Sequence, residues 1–190
     1  YEEFGDEVDW MAFIDGDEFL FPTSDKSIDI ALKKYSNKKI SALGVYWVCF
    51  GSSGRIDEPS GLIIENYKYR AADGYENNRH IKSIVKGKQG KILIPFSPHL
   101  FQTPLGTFDE NLRPIEKGWT DYEPTYKHFR INHYVTQSRS YFLNFKSKVT
   151  PPDGAVKRDE SFWMEHDKND VLDNSMDRFI VPLKEVLNSI

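Results

Sequence analysis

Cysteine is nearly absent: Cys49 is the one cysteine in 190 residues. No intrachain disulfide can form, and such a chain suits a reducing compartment. No apolar run approaches the roughly 18 residues that a membrane-crossing helix needs. The opening residues 1–9 are acidic and do not have the pattern of a secretory leader. Positive charge is not in excess either. Lys and Arg number 25 against 29 Asp and Glu, for a formal net charge of −4. That balance argues against a protein that binds nucleic acid through its phosphate backbone. There is no internal repeat and no low-complexity tract.

What remains is the composition of an ordinary globular domain, and its length suffices for one domain with a real core. Charged residues make up 28% and hydrophobic ones 39%. Aromatics are abundant at 14%, with ten Tyr, thirteen Phe and four Trp. That surplus fits stacking on sugars, and it fits equally a core built from large residues.

The most informative stretch is Trp10-Met11-Ala12-Phe13-Ile14-Asp15-Gly16-Asp17-Glu18-Phe19-Leu20. An apolar run leads straight into three carboxylates. Residues 10–14 read as a short strand buried on both faces, because polar residues do not alternate with apolar ones. Open α/β folds place their ligands at the end of such a strand. Asp15 and Asp17 supply two hard oxygen ligands one residue apart, a set that suits Mg²⁺ or Mn²⁺. Carboxylates beside Phe13, Phe19 and Phe21 need a cationic partner, and a metal ion is the economical one. The competing reading of an Asp-x-Asp is a solvated strand end. A haloacid-dehalogenase-type phosphatase also opens this way, but it wants Thr or Val where this chain has Phe19.

Four motifs carry a resemblance. They are Asp15-Gly16-Asp17-Glu18-Phe19, Trp47-x-x-Phe50-Gly51-Ser52-Ser53-Gly54, Lys82-Ser83-Ile84-Val85, and His133-Tyr134-x-x-x-Ser138. In this order they resemble the glycosyltransferase family 92 and family-2-like group, over about Trp10 to Asp173. The resemblance implies an α/β fold, a GT-A-like mixed sheet flanked by helices. It implies a metal- and acceptor-binding part over 1–150 and a helical extension over 151–190. In that group the Asp-x-Asp follows an amino-terminal nucleotide-binding half, whereas here it comes at position 15. The chain is therefore expected to be a fragment, a processed product or the carboxyl half of a longer enzyme.

The implied activity is transfer of a sugar from a nucleotide-diphosphate donor to a glycan, glycolipid or other hydroxyl acceptor. It is expected to be metal-dependent and inverting, with a role in polysaccharide building. The alternative is a non-catalytic carbohydrate-binding or interaction module. Asp15, Asp17 and His133 are the expected ligands of Mn²⁺ or Mg²⁺, with Asp15 acting through water or holding the ribose. Ser138 and Lys146 are expected near the diphosphate, although Gln137 stands where the group usually has Lys. The Gly51-Ser52-Ser53-Gly54 loop is expected to contact sugar, with Trp47 and Phe50 as stacking platforms. It reads equally as a plain turn, and Trp47 as core. Lys82 and His99 also match positions of the group, and both can equally be structural. Inversion needs a carboxylate base. Asp57 and Glu58 are the expected candidates, with Glu65 and Asp109 as rivals. The lack of a disulfide and of a span suits a cytoplasmic enzyme, docked peripherally on a membrane through other parts.

Along the chain, the pattern predicts a helix over 25–36 capped by Thr23, Ser24 or Asp25, and a long strand over 40–50. The segment 61–70 is ambiguous. Two strands over 80–86 and 91–96 look like a hairpin, and 106–126 reads as a polar loop. A strand over 129–135 precedes a helix over 139–148 capped by Ser138. A linker over 150–155 follows, then a helix started by Asp159 and a terminal helix over 174–190 that Pro182 kinks or breaks.

Overall fold

The structure, a computed structural model, describes residues 1–95, 97, 99–149 and 157–189. The linker expected over 150–155 lies outside them. The strands are β1 (Trp10–Ala12), β2 (Glu18–Pro22), β3 (Ala42–Cys49), β4 (Tyr69–Arg70), β5 (Ile81–Lys86), β6 (Ile94–Pro95), β7 (Phe101–Gln102), β8 (Thr107–Phe108), β9 (Pro114–Ile115), β10 (Phe129–His133) and β11 (Val171–Leu172). The α-helices are α1 (Ile28–Lys33), α2 (Ile63–Asn66), α3 (Gly87–Gly90), α4 (Arg139–Asn144), α5 (Glu160–His166) and α6 (Asp177–Leu187). The chain divides into two compact units, Tyr1–Val48 with Gly74–Asn132 and Cys49–Asp73 with His133–Ile190.

The first unit is built on a mixed sheet in the order β1-β5-β3-β10-β2, with β8 and β9 added beside β3. β5 runs antiparallel to both β1 and β3, while β8 runs parallel to β3. All eight residues of β3 are buried, as expected of an apolar strand without alternation. Tyr46, Ile81, Leu100 and Ile115 form one core cluster. Ala42, Val85 and Phe101 form another, against which Phe13 packs.

Three expectations for this unit are corrected. β1 is not buried on both faces; it is a three-residue edge strand, half-buried to exposed, because it has a neighbour on one side alone. β5 does not form a hairpin with the strand that follows it. It pairs with β1 and β3, and β6 pairs with β7. Helix α1 is also shorter than its apolar pattern suggests. It begins after Ser27, and Asp25 is drawn into an ion pair with Lys34 at 2.6 Å rather than capping.

In the second unit β4 pairs with β11. Ion pairs join Lys184 to Glu65 and Lys68 to Asp177, both at 2.7 Å. The expected helix over 139–148 stops at Phe145 and continues as a 3-10 turn over Lys146–Lys148. Asp159 does cap α5, accepting from the N–H groups of Ser161 and Phe162. α6 runs through Pro182, giving up one backbone donor. Among the described residues no helix is long and apolar enough to cross a membrane.

The amino-terminal segment sets where β1 lies. The Tyr1 hydroxyl donates to the carbonyls of Lys86 and Gly87 at 3.0 and 2.7 Å. The Gly87 N–H donates to Asp9 at 2.9 Å. A Cβ on Gly87 would lie 1.8 Å from the Val8 carbonyl oxygen, and both partners are backbone. Gly87→Ala must therefore push this segment away. We expect a loss of about 2 kcal/mol or more in urea unfolding. An unchanged midpoint would mean that the segment contributes little.

Candidate active site

The register of β1 against β5 places the Asp-x-Asp. Trp10 faces Lys86 and Ala12 faces Ile84, and the Phe13 N–H donates to Ser83 at 3.2 Å. The chain then reaches Asp15 alongside Lys82. Lys82 Nζ donates to Asp15 Oδ2 at 2.8 Å and stands 3.7 Å from Glu18 Oε1. The turn between the two acids is closed in both directions. The Asp15 N–H donates to Glu18 Oε2 at 3.0 Å, and the Glu18 N–H donates to the Asp15 carbonyl at 3.1 Å.

Burial differs sharply across this cluster. The side chains of Glu18 and Lys82 are 0% and 2% exposed, whereas that of Asp15 is 61% exposed. Asp17 is half-buried. Glu18 is thus the inner brace of the turn, and Asp15 and Asp17 form its outer rim. The cation beside Asp15 and Glu18 is Lys82, which answers the burial argument that the sequence alone assigned to a metal. Asp15, Asp17 and Glu18 bring three carboxylates to the turn. Their hard oxygen donors fit Mg²⁺ or Mn²⁺, which take one or two carboxylates together with substrate phosphates. Among the described residues, no three His, Cys, Asp or Glu side chains group closely enough to hold a metal ion.

Three rings lie around the start of β5. Trp47 stacks on His80 at 5.0 Å and meets His99 edge-on at 5.1 Å. His99 Nδ1 lies 3.0 Å from the Ile81 carbonyl. Burial, reinforced by the Lys82 ammonium, pushes the His99 pKa down to about 4.

The other sequence-named residues fall as follows. Trp47 and Phe50 are buried, at 9% and 1% exposure, and Phe50 packs on Tyr134 at 4.8 Å. The Gly51–Gly54 loop is clamped by Asp167 and Asn169. Asp167 accepts from the Ser52 N–H at 2.5 Å and from its hydroxyl at 3.1 Å. Asn169 accepts from the Ser53 N–H at 2.7 Å. Ser53 Oγ accepts from Lys68 and Tyr69 N–H groups at 2.8 and 3.0 Å. A Cβ on Gly51 would lie 2.4 Å from the Lys168 carbonyl, so this glycine is required by close approach.

His133 is buried at the end of β10, and its carbonyl accepts from the Phe50 N–H at 2.9 Å. It belongs to the second unit, while Asp15 and Asp17 belong to the first. Ser138 caps α4 by accepting from the Tyr141 N–H at 3.1 Å. Lys146 is half-buried in the 3-10 turn that follows. Asp57 and Glu58 are exposed. Asp109 is fully buried and organises its own turn, accepting from the N–H groups of Asn111 and Arg113 and from Arg113 Nε at 2.5 Å.

An α/β protein with a mixed sheet and a braced acidic turn at the sheet margin fits the class of glycosyltransferase-like folds. A model of glycosyltransferase family 92 matches residues 3–169, and the chain belongs to that family. No curated protein matches it.

Two measurements follow from the brace. Removing one partner of a buried pair leaves the other charge uncompensated. Lys82→Met is therefore expected to lower stability by about 3 kcal/mol. Asp15→Asn, at an exposed side chain, is expected to lose clearly less. Equal losses in urea unfolding would contradict the assignment of Glu18 as the buried brace. The second measurement concerns His99. Its pKa falls from 6.5 to about 4 on folding, so the unfolded chain binds the proton first. Stability is complete above about 6.5 and declines as pH falls toward 4. In His99→Gln that stretch of the profile should flatten, and parallel profiles would refute it.

Proposed function

We propose that this glycosyltransferase moves a sugar from a nucleotide-diphosphate donor to a hydroxyl of a glycan or glycolipid acceptor. In this reading Mn²⁺ or Mg²⁺ acts at Asp17 and Asp15, and configuration at the transferred carbon is inverted. The observation that carries the proposal is the Asp15–Glu18 turn, closed by one backbone–backbone bond and by the Asp15 N–H donating to the Glu18 carboxylate, and braced on Lys82. Such bracing fixes the exposed Asp15 carboxylate, two residues before Asp17, before any ligand arrives, and preorganised charge is what electrostatic catalysis requires. When bound, the ion would supply Lewis acidity to the departing diphosphate.

The residues divide the work. Asp17 presents a carboxylate from the rim of the turn. Asp15 shares its oxygens with Lys82, so it suits an outer role through water or toward the ribose. Glu18 and Lys82 hold the geometry. For the base that deprotonates the acceptor hydroxyl, the burial of Asp109 against Arg113 and the pairing of Glu65 with Lys184 weigh against those two. Asp57 and Glu58 remain the candidates, both exposed.

The test is calorimetric titration of Mn²⁺ with UDP into the chain and into Asp17→Ala. Binding that needs both components and disappears in Asp17→Ala is the expected result. Binding that survives intact in Asp17→Ala would remove the turn from the metal site. His133→Ala in the same titration decides whether that histidine joins the ligand set.

A further inference from the structure

The first unit contains a cleft of about 310 Å³ formed by Pro114 to Lys117 and Trp119 to Tyr122. That volume is at the lower end of the range for small-molecule sites. We infer that it is a subsite for a neutral pyranose ring of the acceptor, with Trp119 as the stacking platform. The inference rests on the sugar-transferring reading above and adds to it a location and a ligand class.

Trp119 is 45% exposed, yet it does not sit on a loose loop. It forms an antiparallel bridge with His80. The Ile81 N–H donates to Gly118 at 3.0 Å, and the Thr120 N–H donates to Arg79 at 3.1 Å. Gly118 lies so close to His99 that an added Cβ would stand 2.8 Å from the His99 Cβ. A tryptophan held this firmly and left facing water is a preformed apolar surface. Tyr122, another lining residue, is fixed as well. The Arg113 guanidinium lies 4.6 Å over the Tyr122 ring, and Arg113 is itself anchored on Asp109.

The polar groups select the ligand. Glu116 and Asp121 are exposed carboxylates that can accept hydrogen bonds from sugar hydroxyls. Lys117 stands 5.7 Å from the centre of the Trp119 ring. Two carboxylates against one lysine disfavour a diphosphate and suit an uncharged polyol. Placement agrees with an acceptor role. His80, which anchors Trp119, precedes Lys82 by two residues, or about 7 Å of strand. The chain entering β5 thus joins the residue bridged to Trp119 to the Lys82 brace.

The test uses the full chain and four probes: the methyl glycosides of β-galactose, β-glucose, β-N-acetylglucosamine and α-mannose. Saturation-transfer NMR should detect binding of at least one. Affinity should fall about tenfold in Trp119→Ala and be largely kept in Trp119→Phe, which preserves an aromatic face. Circular dichroism checks that both variants are folded. Mn²⁺–UDP titration of the same samples separates this inference from the functional proposal. Trp119-dependent glycoside binding without nucleotide binding would support the subsite and count against Mn²⁺–UDP binding at the acidic turn. Nucleotide binding with no glycoside signal, or with equal affinity in wild type and Trp119→Ala, would overturn the subsite.

Discussion

Glu18 carries a carboxylate shielded from water, and Lys82 supplies the ammonium that lets it stay there. An unpaired buried charge is costly, and the Lys82 ammonium 3.7 Å from Glu18 offsets part of that cost. Here the pair serves position more than stability. Lys82 reaches past Glu18 to Asp15 at the surface, so the interior charge fixes the conformation of an exterior one. The edge placement of β1, the clamp at Gly87 and the register against β5 all converge on this contact. Asp15 and Asp17 are consequently held in a fixed turn rather than on a mobile strand end.

Much of this was legible in the sequence where the signal was local. The unbroken apolar run of β3, the Asp159 and Ser138 caps and the order of the four motifs all led to the right elements and family. What escaped was decided by pairing. β1 looked fully buried because its residues are apolar, yet its exposure depends on being an edge, which no local pattern encodes. β5 and the following strand had the spacing of a hairpin, but β5 already had partners on both sides.

The site divides in the same way. The acidic turn was visible as a motif, whereas its counter-charge came from a strand 67 residues away. Lys82, between Ile81 and the Ser83-Ile84-Val85 that follows, was the signal available for it. The aromatics misdirect when read by type alone. Trp47 and Phe50 are packed into the interior, while Trp119, in a stretch that reads as loop, is among the exposed rings. The Gly-Ser loop likewise has the composition of a ligand contact, but its donors and acceptors are largely engaged by Asp167, Asn169 and neighbouring backbone. That network unites residues more than a hundred positions apart, beyond the reach of any motif.

The central claim is that the Lys82-braced turn is where metal and diphosphate meet. Paramagnetic broadening by Mn²⁺ in the presence of UDP, followed residue by residue in the amide NMR spectrum, tests it most directly. The account predicts that broadening centres on residues 15–18 and extends to Lys82 and Ser83. Broadening centred instead on the acidic segment from Asp167 to Asp173, with residues 15–18 left sharp, would contradict it.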